Sequence, residues 1–239
     1  MTSRQDEIYG FILSLVVKQN TRASIEKMVR TISREFFNEK ASSVPKYHQC
    51  YQGGLADHTA LVCLVSYHTV YMNPAFMMDS DKVLIAALCH DLDKLGKYTP
   101  FEHSLKNDDE VMSFLGTFNL LDDEIRNGIL FAHGLWTKKN QEMARQPISI
   151  IIHFADMVSS QIFKERAPTN KAIDEYIEYI KMLKGDDGEV PTIVEDVTKI
   201  ESKTCPKCKR QLLHVQDPNS EIQSNFWDCL KCQLRYTFT

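Results

Sequence analysis

Residues 79–97 read DSDKVLIAALCHDLDKLGK, and this stretch decides the fold. It opens on Asp79-Ser80-Asp81, whose side chains can cap a helix by accepting from its first free N–H groups. The apolar run behind them predicts a helix from Lys82 to about Asp91. At its end stands the pair His90-Asp91, and polar groups in apolar surroundings are costly unless they have a partner. Imidazole plus carboxylate suits a divalent transition metal, whose ligands gather from distant points in sequence. The same reasoning singles out His58 and Asp156, each in its own apolar, helix-like stretch.

Working outward, residues 4–40 carry apolar positions at helical spacing (Ile8, Ile12, Leu15; Ile25, Met28, Val29, Ile32, Phe36) and predict two helices broken near Asn20-Thr21. Residues 42–54, with Pro45 and Gly53-Gly54, read as a loop. A helix follows from about Leu55 to Met72 and stops at Asn73-Pro74. Residues 96–107 read as loop, Asn107-Asp108-Asp109 caps a short helix, and another spans Asp122 to His133. Pro147 suits the first turn of a helix through Ile150, Ile151, Phe154 and Val158. Residues 170–184 predict a last helix ended by Gly185. The glycines and Pro191 of residues 185–200 then mark a linker. Beyond Lys203 the texture changes to short apolar stretches, 212–215 and 234–238, that read as β-hairpins. The expected architecture is an all-α body, residues 1–184, with a small β appendage, residues 201–239.

The chain has 239 residues, enough for one domain plus that appendage, and is 43% hydrophobic and 25% charged, as soluble globular proteins are. Its net charge of −4 gives no whole-chain field that demands nucleic acid. The charge is uneven: residues 201–239 hold six Lys and Arg against four Asp and Glu, which leaves −6 for residues 1–200. No apolar run approaches the roughly 18 residues that span a bilayer. Phe11 to Val17 lacks the basic leader and cleavage site of a signal peptide, so the cytoplasm is the expected location.

The histidine-aspartate positions resemble those of the HD-domain phosphohydrolase superfamily, named for its His-Asp doublet. Residues 48–59, HQCYQGGLADHT, are similar to the entry motif of a subgroup that includes bacterial HD-domain 3′→5′ exoribonucleases. Residues 87–97, ALCHDLDKLGK, resemble its His-Asp-x-x-Lys segment, and His133-Gly134 and the HFAD of residues 153–156 follow in order. The resemblance covers about residues 45–165. It implies an all-helical bundle of the HD type, with His58, His90, Asp91 and Asp156 as metal ligands. It also implies that Lys94 neutralises phosphate charge and that His133 binds a second metal or contacts substrate. Asp93 stands where the His-Asp-x-Gly-Lys version has glycine. A single histidine at 133 stands where two-metal relatives carry a pair, so one or two ions remain open. Lys94 occupies a place where HD-type 5′-nucleotidases tend to carry an acid.

Of the other histidines, His153 shares a helix face with Asp156 and is either a support for it or a non-ligand. His48 borders the expected pocket, while His68, His103 and His214 read as bystanders. Cys50, Cys63 and Cys89 read as small core residues. The remaining cysteines form two pairs, Cys205-Pro-Lys-Cys208 and Cys229-Leu-Lys-Cys232, separated by the twenty residues 209–228. Two such turns hold one tetrahedral Zn²⁺ by four thiolates, and this tail resembles a zinc ribbon, a closed and therefore structural site. A piece of 39 residues buries little core, so metal supplies its folding energy. Lys207, Lys209, Arg210, Lys231 and Arg235, with Phe226, Trp227 and Tyr236, either grip a nucleic acid or serve the ribbon's own core and solubility.

Together these features lead to the expectation of a metal-dependent phosphohydrolase acting on a phosphate ester of a nucleotide or nucleic acid, with Asp91, Lys94 and His133 as its catalytic groups. The ligand set admits Mn²⁺, Fe²⁺, Co²⁺, Ni²⁺ or Zn²⁺. The alternative is a non-catalytic nucleic-acid- or protein-binding adaptor built on the same scaffold. A nucleotide or single-stranded nucleic acid is the expected partner; a protein bound through the ribbon and a second copy of the chain stay open.

Overall fold

A computed structural model describes residues 3–44, 49–73, 78–99, 104–134, 145–162 and 168–184, and three strands within 213–237. The chain divides into two compact units, Met1–Ile180 and Lys181–Thr239.

In the first unit the described elements are helical. They are α1 (Ser3–Ser14), α2 (Gln19–Thr31), α3 (Ser33–Phe36), α4 (Gly54–Tyr71), α5 (Ser80–Cys89), α6 (Asp108–Gly116), α7 (Asp123–Leu130), α8 (Pro147–Ile162) and α9, which starts at Pro168 and is assigned through Lys184. At the centre lies α4, with Leu55, Ala60, Leu61, Val62, Cys63 and Leu64 all excluded from solvent. A helix apolar all round must be packed on every side, and α4 packs against α1, α5 and α8, while α7 closes against α5 and α8. His58 and Asp156 are thus carried on two helices in direct contact, with α5 delivering His90 beside them.

Local side-chain caps set three of the helix starts. The Asp79 carboxylate accepts from the Asp81 N–H at the head of α5, Asn107 from Glu110 at α6, and Asp122 from Ile125 at α7. The break after α1 falls at 15–18, not at Asn20-Thr21, which lie inside α2. The cause is distant in sequence: buried Asp81 accepts from the N–H groups of Val17 (2.7 Å) and Lys18 (2.9 Å), fixing the turn against α5. Helix α7 also ends at Leu130, three residues before His133. The chain there enters a turn in which Gly134 has φ +58°.

Cys63 and Cys89 are buried free thiols, in keeping with a packing role, and Cys50 is half-buried. Among the described residues no helix is long and apolar enough to cross a membrane. In the second unit, β1 (Leu213–Gln216), β2 (Asn225–Cys229) and β3 (Leu234–Thr237) form an antiparallel sheet in the order β1-β2-β3. Cys229 ends β2; Cys205, Cys208 and Cys232, His48 and His103, and the expected linker of residues 185–200 lie outside the described residues.

Candidate metal centre

His58 reaches the centre because α4 begins abruptly. Gly53 has φ +84°, and a Cβ on Gly54 would lie 2.0 Å from the Gln49 carbonyl oxygen, so neither position accepts a larger residue without rearrangement. His58 lies one turn into α4, on the face that Gly54 opens.

His90 and Asp91 pose a geometric problem, since adjacent helical residues diverge by about 100°. The solution is that α5 ends at Cys89. Asp91 has φ −119° and ψ 15° and leads into a 3-10 turn, Leu92–Lys94, which lets its carboxylate swing to the same side as the His90 ring.

The four side chains meet. His58 Nε2 lies 3.3 Å from His90 Nε2, 3.5 Å from Asp91 Oδ2 and 3.2 Å from Asp156 Oδ1; His90 Nε2 lies 3.4 Å from Asp91 Oδ2. Donors of His58, His90 and Asp156 all fall within 4.8 Å of one another, and all four residues are buried. Donors about 2.1 Å from one ion lie about 3.4 Å apart at a tetrahedral angle and about 3.0 Å apart at a right angle. The observed separations therefore fit one divalent ion. The His90 tautomer fits as well: Nδ1–H donates to the Ala87 carbonyl at 2.7 Å, leaving the Nε2 lone pair facing the other donors.

Charge in the cluster is balanced internally. Lys94 sets its ammonium 2.5 Å from Asp91 Oδ2. Burial disfavours that ammonium, but Asp91 outweighs the penalty and raises its pKa above the ordinary value. Burial likewise opposes ionised Asp91, and Lys94 with His90 overcomes it, holding the carboxyl well below the usual range. Asp156 is held low against its own burial by His133 and His58. Desolvation pushes His58 down despite Asp156, whereas Asp91 lifts His90 above its ordinary value against the same burial.

His133 closes the exposed side. Its Nδ1 lies 3.5 Å from Asp156 Oδ2 and its Nε2 3.5 Å from Asp91 Oδ1, with 44% of the side chain accessible. The hydrogen bond to Asp156, helped by Asp91, raises its pKa to about 9.

Two further residues support the cluster, and Asp93 lies beside it. His153 Nδ1 donates to the Ala132 carbonyl at 2.8 Å, and its ring packs where a Cβ on Gly134 would lie, 2.4 Å from Nε2, so it props the His133 turn. Ser160 Oγ lies 3.3 Å from Asp156 Oδ1, an i, i+4 relation visible in the sequence but not singled out. Asp93, next to Asp91 in the 3-10 turn, has a buried Oδ1 with no hydrogen-bond partner; burial and then Asp91 raise its pKa. His68 is remote from the cluster and lies against Tyr176 and Tyr179 of α9.

No family model matches the chain, and no curated protein or solved structure matches it either.

Proposed function

We propose that this protein is a metal-dependent phosphohydrolase of the HD type, acting on a phosphate ester of a nucleotide or nucleic acid. The observation that carries the reading is the convergence of His58, His90, Asp91 and Asp156 at donor separations of 3.2–3.5 Å in one buried cluster. Two imidazoles and two carboxylates would hold Mn²⁺, Fe²⁺, Co²⁺, Ni²⁺ or Zn²⁺. Such an ion, when bound, acidifies water and polarises a phosphoryl oxygen.

The chain's own groups do the rest. Asp91 both contributes to the ligand ring and anchors Lys94, whose ammonium has donors beyond the one given to Asp91 and can neutralise phosphate oxygens as charge builds. His133 sits on the accessible side between the two carboxylates and holds a proton at neutral pH, which suits it to position substrate or protonate a leaving oxygen. His153 and Ser160 keep His133 and Asp156 in register.

The tail is read as a Zn ribbon held by Cys205, Cys208, Cys229 and Cys232, with a single-stranded nucleic acid as the partner it serves. The test is a panel of nucleotides, cyclic dinucleotides and single-stranded RNA and DNA, screened with Mn²⁺, Ni²⁺ and Co²⁺. Metal-dependent release of phosphate or nucleotide that disappears in Asp91→Asn supports the reading. No turnover of any member with any of the metals counts against it.

A further inference from the structure

Glu39 stands between α3 and α4 and is wholly shielded from solvent. A buried carboxylate is costly unless hydrogen-bond donors surround it. Its donors are the N–H groups of Lys40 (2.9 Å), Tyr98 (3.4 Å) and Thr99 (3.2 Å) and the Thr99 hydroxyl (3.1 Å), with no cation among them. Three of the four come from residues 59 and 60 positions further along the chain.

That distant segment runs on from the cluster through consecutive turns. The Lys94 N–H donates to the Asp91 carbonyl (3.0 Å), Leu95 to Leu92 (3.1 Å) and Lys97 to Lys94 (3.0 Å), and Gly96 takes the left-handed conformation with φ +72°. Glu39 grips the end of this run. Its main-chain carbonyl also accepts from the Leu55 N–H (3.0 Å), one of the donors in the first turn of α4 that have no acceptor within the helix. His58 follows three residues later on the same helix. One residue thus joins the head of the helix that carries His58 to the run that carries Asp91 and Lys94.

We infer that Glu39 is a positioning residue for the metal centre, holding the Asp91–Lys94 turn at the spacing from His58 that one ion requires. This rests on the metal-centre reading proposed above. An apolar side chain would fill the same space without the cost of burying a carboxylate, so the acid serves what it holds. The tolerance is small, since ligand sets work when kept within about 0.5 Å of their productive geometry. His58 Nε2 and Asp91 Oδ2, 3.5 Å apart, lie on the two segments that Glu39 links. Buried Leu95 anchors the run by packing, and Glu39 fixes its far end, so loss of Glu39 should leave the fold and shift the turn.

The test uses the full chain and Mn²⁺, with binding followed by calorimetry at a temperature where each variant is folded. Glu39→Gln keeps the shape but turns an amide N–H₂ toward the donors, and is expected to weaken Mn²⁺ binding about tenfold or more. Thr99→Val removes one donor of the four and is expected to weaken it about threefold. Asp81→Asn, which loosens a buried carboxylate clamp away from the cluster, is expected to lose stability and bind Mn²⁺ like the parent. In the metal-free protein, amide hydrogen exchange of residues 94–99 is expected to quicken in Glu39→Gln. Parent-level Mn²⁺ binding in folded Glu39→Gln overturns the inference. So does equal weakening in Asp81→Asn, because lost stability alone would then account for it. If Glu39→Gln does not fold, Thr99→Val decides in the same way. A parent chain that binds no Mn²⁺ defeats the metal-centre reading, and hydrogen exchange then decides the role of Glu39 by itself: quickened exchange at residues 94–99 keeps it as the anchor of the turn, and unchanged exchange removes it.

Discussion

The Nε2 atoms of His58 and His90 face each other at 3.3 Å between α4 and α5. With His90 Nδ1–H committed to the Ala87 carbonyl, the His90 lone pair points at a second imidazole and two carboxylates. A proton or a cation must sit among these donors, and a divalent ion satisfies all of them together. Mn²⁺, which suits imidazole and carboxylate donors and not a four-thiolate site, should therefore raise the melting temperature when added to chelator-treated protein. A concentration 100 times Kd corresponds to about 2.7 kcal/mol. His90→Ala should abolish the shift; an undiminished shift in that variant would place the stabilising ion elsewhere.

Asp91 and Lys94 form a buried pair, so Asp91→Ala does more than remove a ligand. It strands an ammonium whose side chain is only 15% exposed. Breaking such a pair costs about 3–5 kcal/mol. Hydrolysis should vanish in Asp91→Ala and stay absent in Asp91→Ala/Lys94→Met, while much of the lost stability returns in the double variant. Denaturant titration of the metal-free proteins measures this coupling, and strict additivity would contradict the pairing.

His133 gives the metal-free protein a pH signature. Its pKa is raised to about 9 when folded, against an ordinary value of about 6.5. The folded state therefore favours the protonated ring. The stabilisation is complete below about pH 6.5, declines as pH rises toward 9 and is absent above. In chelator, the melting-temperature gap between the parent and His133→Gln should be widest near pH 6 and close by about pH 10. A gap that does not change with pH would show that His133 lacks the Asp156 bond.

Asp81 fastens the α1–α2 turn to α5. Removing its carboxylate leaves the Val17 and Lys18 N–H groups without their acceptor, a cost of about 2–4 kcal/mol in Asp81→Ala. Asp81→Asn keeps one acceptor oxygen and should lose about half as much. Urea unfolding measures both, and a loss below about 0.5 kcal/mol in the alanine variant would remove Asp81 from this role.

What the sequence disclosed follows from the range of each interaction. Helices α4, α5 and α8 were legible because apolar content, Asp79 and Pro147 act within a few residues. The α1–α2 break was misplaced because its cause, Asp81, lies more than sixty residues away. For the site, each candidate ligand could be picked out as a polar group in apolar surroundings, but their meeting could not. It depends on α5 ending at Cys89 and on the backbone of Asp91, which leave no local pattern. The end of α7 was overrun for a similar reason: the Gly134 turn is held by the His153 ring from another helix. On the tail, the cysteine spacing suggests a zinc site, while the order and register of the three strands leave no local pattern.

The most direct measurement of the central claim is anomalous diffraction from crystals of the protein grown or soaked with Mn²⁺. The account predicts an anomalous peak within about 2.0–2.3 Å of His58 Nε2, His90 Nε2, an Asp156 oxygen and an Asp91 oxygen. A peak bonded to other residues, or none at this cluster when metal is in excess, would contradict it.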